Sequence, residues 1–188
     1  MGNDRAVATP GIVVAGGAAE RLGGTDKADI RLGDRTLRDL AAGRLVGICD
    51  PVVVVDRTMA TGGPLVAVVA GWAVLRSTAP EATGAVVLAV DVPFVPPPLL
   101  AWLAEAEGTV VPVVDGRDQP LCARYDAGLL DIAANLVDRG ERSMRALLAA
   151  GAVHRTGPDE WGPFAEAADF ADIDTPADLD AARRRAGA

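Results

Sequence analysis

An apolar run, Gly11-Ile12-Val13-Val14-Ala15, opens directly into Gly16-Gly17-Ala18-Ala19-Glu20-Arg21-Leu22-Gly23-Gly24-Thr25-Asp26-Lys27. A buried strand ending in a glycine-rich, cation-bearing loop constrains the fold more than any other stretch of the chain. In open α/β sheets, ligands gather at the carboxyl ends of the strands, which is where such a loop lies. Four glycines let backbone N–H groups approach a polyanion unobstructed, and Arg21 and Lys27 bring neutralising charge. The loop reads as a cradle for a nucleoside triphosphate.

The rest of the chain has the alternation such a sheet requires. Unbroken apolar, β-branched runs at residues 11–15, 51–56, 85–90 and 109–114 read as strands buried on both faces. Between them, Ala/Leu-rich stretches at about 37–47, 64–77 and 97–107 read as helices, with Pro64 and Pro97 suited to first turns. A turn at Asp115-Gly116-Arg117-Asp118 predicts that residues 119–125 return as an antiparallel strand beside their neighbour. Further helices are expected at 127–139, ending before Gly140, at about 143–149, and after Asp174-Thr175-Pro176, where Asp or Thr serves as cap. The expectation is a single α/β domain spanning 1–188, three-layer α/β/α, with a mostly parallel, Rossmann-like sheet carrying one antiparallel strand.

Composition excludes several classes of function. A net charge of −8 and the lack of a basic stripe argue against nucleic acid or an anionic membrane as partner. The run Arg183-Arg184-Arg185 is too short to reverse this and suits a solvated helix end. Cys49 and Cys122 form no disulfide framework and lack metal-site spacing, which fits a reducing cytoplasm. No window approaches a membrane span. The lone histidine, His154, removes most triads and zinc-histidine sites, and suits a surface or strand-end position.

Polar residues cluster where strands end: Asp56-Arg57 after the second, and Asp91 after the third in Leu88-Ala89-Val90-Asp91-Val92-Pro93-Phe94. An aspartate in that position also serves as a turn residue or helix cap. The first loop matches neither G-x-G-x-x-G nor the Walker pattern, since Lys27 follows Asp26 and precedes Ala28. As V-A-G-G-A-A-E-R-L-G-G-T-D-K, it resembles the signature loop of the GT-A-like nucleotidyltransferases, and within them the molybdenum cofactor guanylyltransferases of the MobA type. Later segments extend the resemblance over nearly the whole chain. Ala89-Val90-Asp91-Val92-Pro93-Phe94 is similar to that family's metal-binding C-D-[MT]-P-[FY]. Asp172-Ile173-Asp174-Thr175-Pro176-Ala177-Asp178-Leu179 is similar to its late N-[IV]-N-T-P motif, with both asparagines replaced by aspartate. Gly62-Gly63-Pro64-Leu65-Val66-Ala67 is similar to its G-P-L-A-G segment, with Ala67 for the last glycine. Gly140-Glu141-Arg142-Ser143-Met144-Arg145 is similar to its G-E-R segment.

The resemblance implies an enzyme that transfers GMP from GTP to the phosphate of molybdopterin, with pyrophosphate released and Mg²⁺ as the metal. It implies catalytic roles for Arg21, Lys27 and Asp91, and nucleotide or acceptor contacts at Ala15, Gly16, Gly17, Gly23, Lys27, Asp56, Gly63 and Arg142. Metal ligation is implied for Asp91 with Asp172 or Asp174. For the last pair, helix capping by Asp174 and a solvated Asp172 are equally open readings. Expected partners are small molecules, an NTP and a molybdopterin-type acceptor, with transient contact to cofactor-biosynthesis proteins or molybdoenzymes. The family also has a further strand before its G-P-L segment, ending in an acidic pair that helps read guanine. Only residues 57–63 are available for it here, which puts the base in question and leaves Asp56 as a stand-in. The same transfer with CTP or another acceptor, or a nucleotide-binding module without turnover, are the alternative readings.

Overall fold

The computed structural model describes residues 8–16 and 26–187. Strand β1 (Gly11–Val14) is buried along its whole length and lies inside the sheet, parallel to β4 (Val52–Val55) on one side and to β5 (Gly84–Ala89) on the other. Such a strand meets helices on both faces, which is why it is apolar throughout rather than alternating. Between β1 and β4 come a 3-10 turn at Lys27–Asp29, a small hairpin of β2 (Arg31–Leu32) and β3 (Arg35–Thr36), and helix α1 (Leu37–Val46). Helix α2 (Pro64–Thr78) leads to β5, and α3 (Pro97–Glu105) leads to β6 (Val110–Val114). Pro64 and Pro97 sit in first turns, as their fixed φ allows.

The expected hairpin forms differently. After β7 (Arg117–Asp118), which pairs antiparallel with the end of β6, the chain leaves the ladder and re-enters as β8 (Cys122–Asp126). Pro120, which has no N–H to donate, lies in the gap, and its carbonyl accepts a 2.6 Å bond from the Tyr125 hydroxyl. Strand β8 therefore pairs not chiefly with its sequence neighbour but over five positions with β5, from Gly84↔Asp126 to Leu88↔Cys122, and at a single position, Val110↔Arg124, with β6. The described order is β4-β1-β5-β8-β6-β7, with β9 (His154–Thr156) also pairing parallel to β6. The sheet is mostly parallel, with β7 and β8 antiparallel.

Two apolar layers enclose the sheet. One packs α1, α3 and the late segment through Leu37, Leu45, Leu99, Trp161 and Phe170. The other packs α2, α4 (Ala127–Asp138) and α5 (Met144–Ala149) through Leu65, Trp72, Tyr125 and Leu130. Helix α6 (Pro158–Trp161), a 3-10 turn at Ala167–Phe170 and α7 (Pro176–Ala186) complete the chain. The cap of α7 is Thr175, in a reciprocal box with Asp178, so Asp174 is not the capping residue. The basic run at the end of α7 is not simply solvated either. Arg185 pairs with Asp169, donates to the Ala168 carbonyl at 2.7 Å, and lies 4.3 Å over the Phe94 ring. No described helix is long and apolar enough to cross a membrane.

Candidate active site

Register decides which residues meet at the carboxyl end of the sheet. Val14 is opposite Val55 on one side and Ala89 on the other, so Gly16, Arg57 and Asp91 each follow two residues beyond one row. Two ladder bonds carry past the strand ends and hold that row in place, Ala15 N–H to the Val55 carbonyl at 2.8 Å and Val90 N–H to the Val14 carbonyl at 3.2 Å. The late segment joins it through Ile173 N–H, which donates to the Asp91 carbonyl at 2.9 Å. The residues flanking Ile173, Asp172 and Asp174, thereby arrive at the tip of β5.

The centre of this end is an acid–base cluster. The Lys27 ammonium donates to Asp91 Oδ2 at 3.1 Å and to Asp174 Oδ1, and the lysine is only 8 % exposed. Burial alone would lower its pKa, but Asp91 and Asp174 outweigh that and raise it above the usual lysine range. Among the described residues, Asp172 has no ion-pair partner. Its pKa is raised by partial burial and then by the neighbouring charges of Asp174 and Asp91. Among the described residues, no group of three or more His, Cys, Asp or Glu is gathered as a metal shell, and Asp91 and Asp174 both face the Lys27 ammonium.

At the same end of the sheet lies a cavity of about 250 Å³, lined by Gly16, Arg57, Ala60, Thr61, Gly62, Gly63 and Ala67. Gly62 and Gly63 have φ of 109° and 115°, a region that side chains avoid, so the sharp entry into α2 depends on glycine at both positions. The turn places the amino end of α2 at the carboxyl end of the sheet, where its partial positive charge favours an anion. Arg142 packs against these glycines. It lies in the connection before α5 rather than on the helix, and its Nη1 donates to the Val137 and Glu141 carbonyls at 2.9 and 2.7 Å.

Asp56 sits at the rim with its oxygens engaged. Oδ1 accepts from Thr58 N–H at 2.9 Å, the Thr58 hydroxyl at 2.6 Å and Met59 N–H at 3.3 Å, while Oδ2 faces Arg38 Nη1 at 3.3 Å. Hydrogen bonds from Thr58 hold its carboxyl below the usual range. Residues 57–63 contain no strand, so β4 borders the described sheet. Ala15 is fully buried in the core beneath the site. Gly17, Arg21 and Gly23 lie outside the described residues.

Sequence reasoning passed over some of this surface. Arg38 spans from Asp56 to Asp29, at 3.3 and 3.5 Å, tying the exit of the glycine loop to the end of β4. A polar cavity of about 620 Å³ holds Asp172 on one wall and Asp115, Arg117, Asp118 and Gln119 of the β6–β7 turn on another. The signal for the turn was its glycine, which announced geometry and said nothing of what it would face.

The family model for the MobA-like NTP transferase domain matches residues 11–156. A molybdenum cofactor guanylyltransferase of Rhodopseudomonas palustris (strain HaA2) is 31 % identical over 92 % of this chain and 89 % of its own. Among solved structures, molybdopterin-guanine dinucleotide biosynthesis protein A of Archaeoglobus fulgidus superposes with a TM-score of 0.76 at 22 % identity, over 95 % of this chain and 99 % of the other. The 2-C-methyl-D-erythritol 4-phosphate cytidylyltransferase of Thermus thermophilus shares the fold at a TM-score of 0.66 and 20 % identity, over 96 % of this chain and all of the other.

Proposed function

The chain belongs to the MobA-like NTP transferase family and is a nucleotidyltransferase, and from that premise we propose that it transfers GMP from GTP to the phosphate of a molybdopterin acceptor, releasing pyrophosphate. The observation that carries this reading is the buried Lys27 ammonium between Asp91 and Asp174, at the strand tips and at the same end of the sheet as the glycine-lined cavity. An acceptor phosphate is already ionised at neutral pH, so its oxygen attacks the α-phosphorus without a general base. The new P–O bond forms as the bond to the β-phosphate breaks, and pyrophosphate leaves in line. The protein must position both partners and neutralise the charge that builds on the leaving group. Arg21 and Lys27 supply cations for the β- and γ-phosphates, Gly16 and Gly17 allow close backbone approach, and Gly63 aims the amino end of α2 at the same anion.

The donor set suits Mg²⁺, since Asp91, Asp172 and Asp174 offer hard carboxylate oxygens at one strand end, and a divalent cation there would offset the mutual repulsion of those charges, which adds to partial burial in raising the pKa of Asp172. Asp91 with Asp172 or Asp174 would hold it, and when bound it supplies charge neutralisation to the triphosphate. The names borne by the relatives support guanine as the base. One observation favours a second reading, the same transfer with another base: Asp56, the acid at the end of β4, already has both oxygens engaged. Pyrophosphate release measured with each of GTP, CTP, ATP and UTP and a molybdopterin acceptor tests both. Release with GTP alone supports the first reading, release with CTP the second, and release with none overturns the transferase reading of this site.

A further inference from the structure

Lys27 Nζ lies 3.1 Å from Asp91 Oδ2 and in contact with Asp174 Oδ1, and little of the lysine is reached by solvent. Both carboxylates are among those a divalent cation would take, Asp91 in either pairing. The ammonium is also the group that would meet a triphosphate, and while it is held between them two of its three N–H donors and most of its charge are already engaged. We propose that Lys27 is an internal counter-cation that closes the acidic site, so that the protein takes up a divalent cation and a triphosphate together rather than one before the other. The inference rests on the reading above, in which the acids hold metal and the lysine meets phosphate.

The physical argument is one of exchange. A bare cation entering between Asp91 and Asp174 must displace the ammonium, leaving a buried charge without a partner, which is costly. A bare triphosphate drawing Lys27 away leaves two carboxylates facing each other with Asp172 close by. When both ligands enter, each cation regains an anion: the metal takes the carboxylates and Lys27 takes the phosphate. Two ligands that each remove the other's penalty bind with positive coupling, and that coupling is reciprocal. The backbone beneath the lysine is held while its side chain moves. Asp26 caps the 3-10 turn by accepting from Ala28 N–H at 3.0 Å, and Arg38 reaches Asp29 at the other end of that turn.

The test uses Mn²⁺ as the metal probe, read by electron paramagnetic resonance, so that it does not depend on turnover. Wild-type protein is expected to bind Mn²⁺ alone weakly, and on the order of tenfold more tightly in the presence of GTP, within the usual range of coupling. The Lys27→Met variant should bind Mn²⁺ alone on the order of tenfold more tightly than wild type, since a unit charge is removed at contact distance. It should also bind GTP more weakly and lose most of the coupling. Lys27→Arg, which keeps the charge, should leave the affinity for Mn²⁺ alone near wild type, and a circular dichroism spectrum checks that each variant is folded. If folded Lys27→Met binds Mn²⁺ alone no better than wild type, the counter-cation proposal is overturned, even where wild type still releases pyrophosphate. If no form binds Mn²⁺ with or without GTP, the metal reading of the acids falls as well.

Discussion

Asp91, Asp172 and Asp174 share one strand end and differ in what surrounds them. Asp91 and Asp174 divide the charge of Lys27, whereas Asp172 is partly buried, lies near both charges and has no ion-pair partner among the described residues. A carboxyl whose pKa is raised on folding favours the fold below its unfolded pKa of about 4 and loses that contribution as pH rises through the folded value. Asp172→Asn is therefore expected to stabilise the fold at pH 7, by less than about 1 kcal/mol at so exposed a site. The gain should vanish below about pH 3, where aspartate is protonated in both states. Thermal melts at the two pH values decide it, and equal gains at both would show that neither burial nor repulsion of the Asp172 charge is the cause. Lys27→Ala and Asp91→Ala are expected to lower the rate of pyrophosphate release by about a hundredfold or more, with folding intact by circular dichroism. Near-normal turnover in either variant would take that residue out of the site. The motif pattern alone was enough to single out these residues. It could not say that Asp56, drawn in as a possible base-reading acid, gives its oxygens to Thr58, Met59 and Arg38, because those bonds depend on how the loop after β4 folds back.

At the scale of elements, the long helices and buried strands were legible because their signal lies within a dozen residues. Helix α2 begins at Pro64 and α7 at Pro176, as proline and capping chemistry require. The short pieces, β2, β3, β9 and α6, carry too few residues for a period to emerge. Helix α2 also shows why one glycine is fixed where a helix would favour alanine. A Cβ added at Gly71 would fall 2.7 Å from Ile12 Cγ2 and 3.1 Å from Val55 Cγ2, on the face where α2 meets β1 and β4. Alanine gains about 1 kcal/mol in helix propensity, while overpacking a well-filled core costs about 1–3 kcal/mol. Gly71→Ala is thus expected to destabilise the protein by about 1 kcal/mol in urea unfolding, and a stabilised variant would show that this helix–sheet contact is looser than its geometry.

At the scale of the whole molecule, the sheet is sealed by two apolar layers, and both cysteines lie inside it. Cys49 and Cys122 are buried, and burial pushes both thiols up to about 12. A thiol that stays protonated and shielded neither attacks nor exchanges. In the native protein, neither is expected to react with a disulfide reagent at about pH 8 on the timescale of minutes, and both should titrate once the chain is unfolded in guanidinium. Rapid labelling of a thiol in the folded state would mean that one of the layers opens locally. This burial, and not their spacing alone, accounts for two cysteines that take no part in the site.

The sequence by itself determined the class of fold, the positions of its long elements and the family, because periodicity, caps and a glycine loop are written in neighbouring residues. The tertiary structure alone decided that β8 enters between β5 and β6, that Arg185 folds onto Asp169 and Phe94, and that Lys27 lies between acids 64 and 147 residues away. The physical reason is range. A helix or buried strand is favoured by side chains a few positions apart, whereas charge partners and strand neighbours are chosen only when distant segments compete to pack against the same surface.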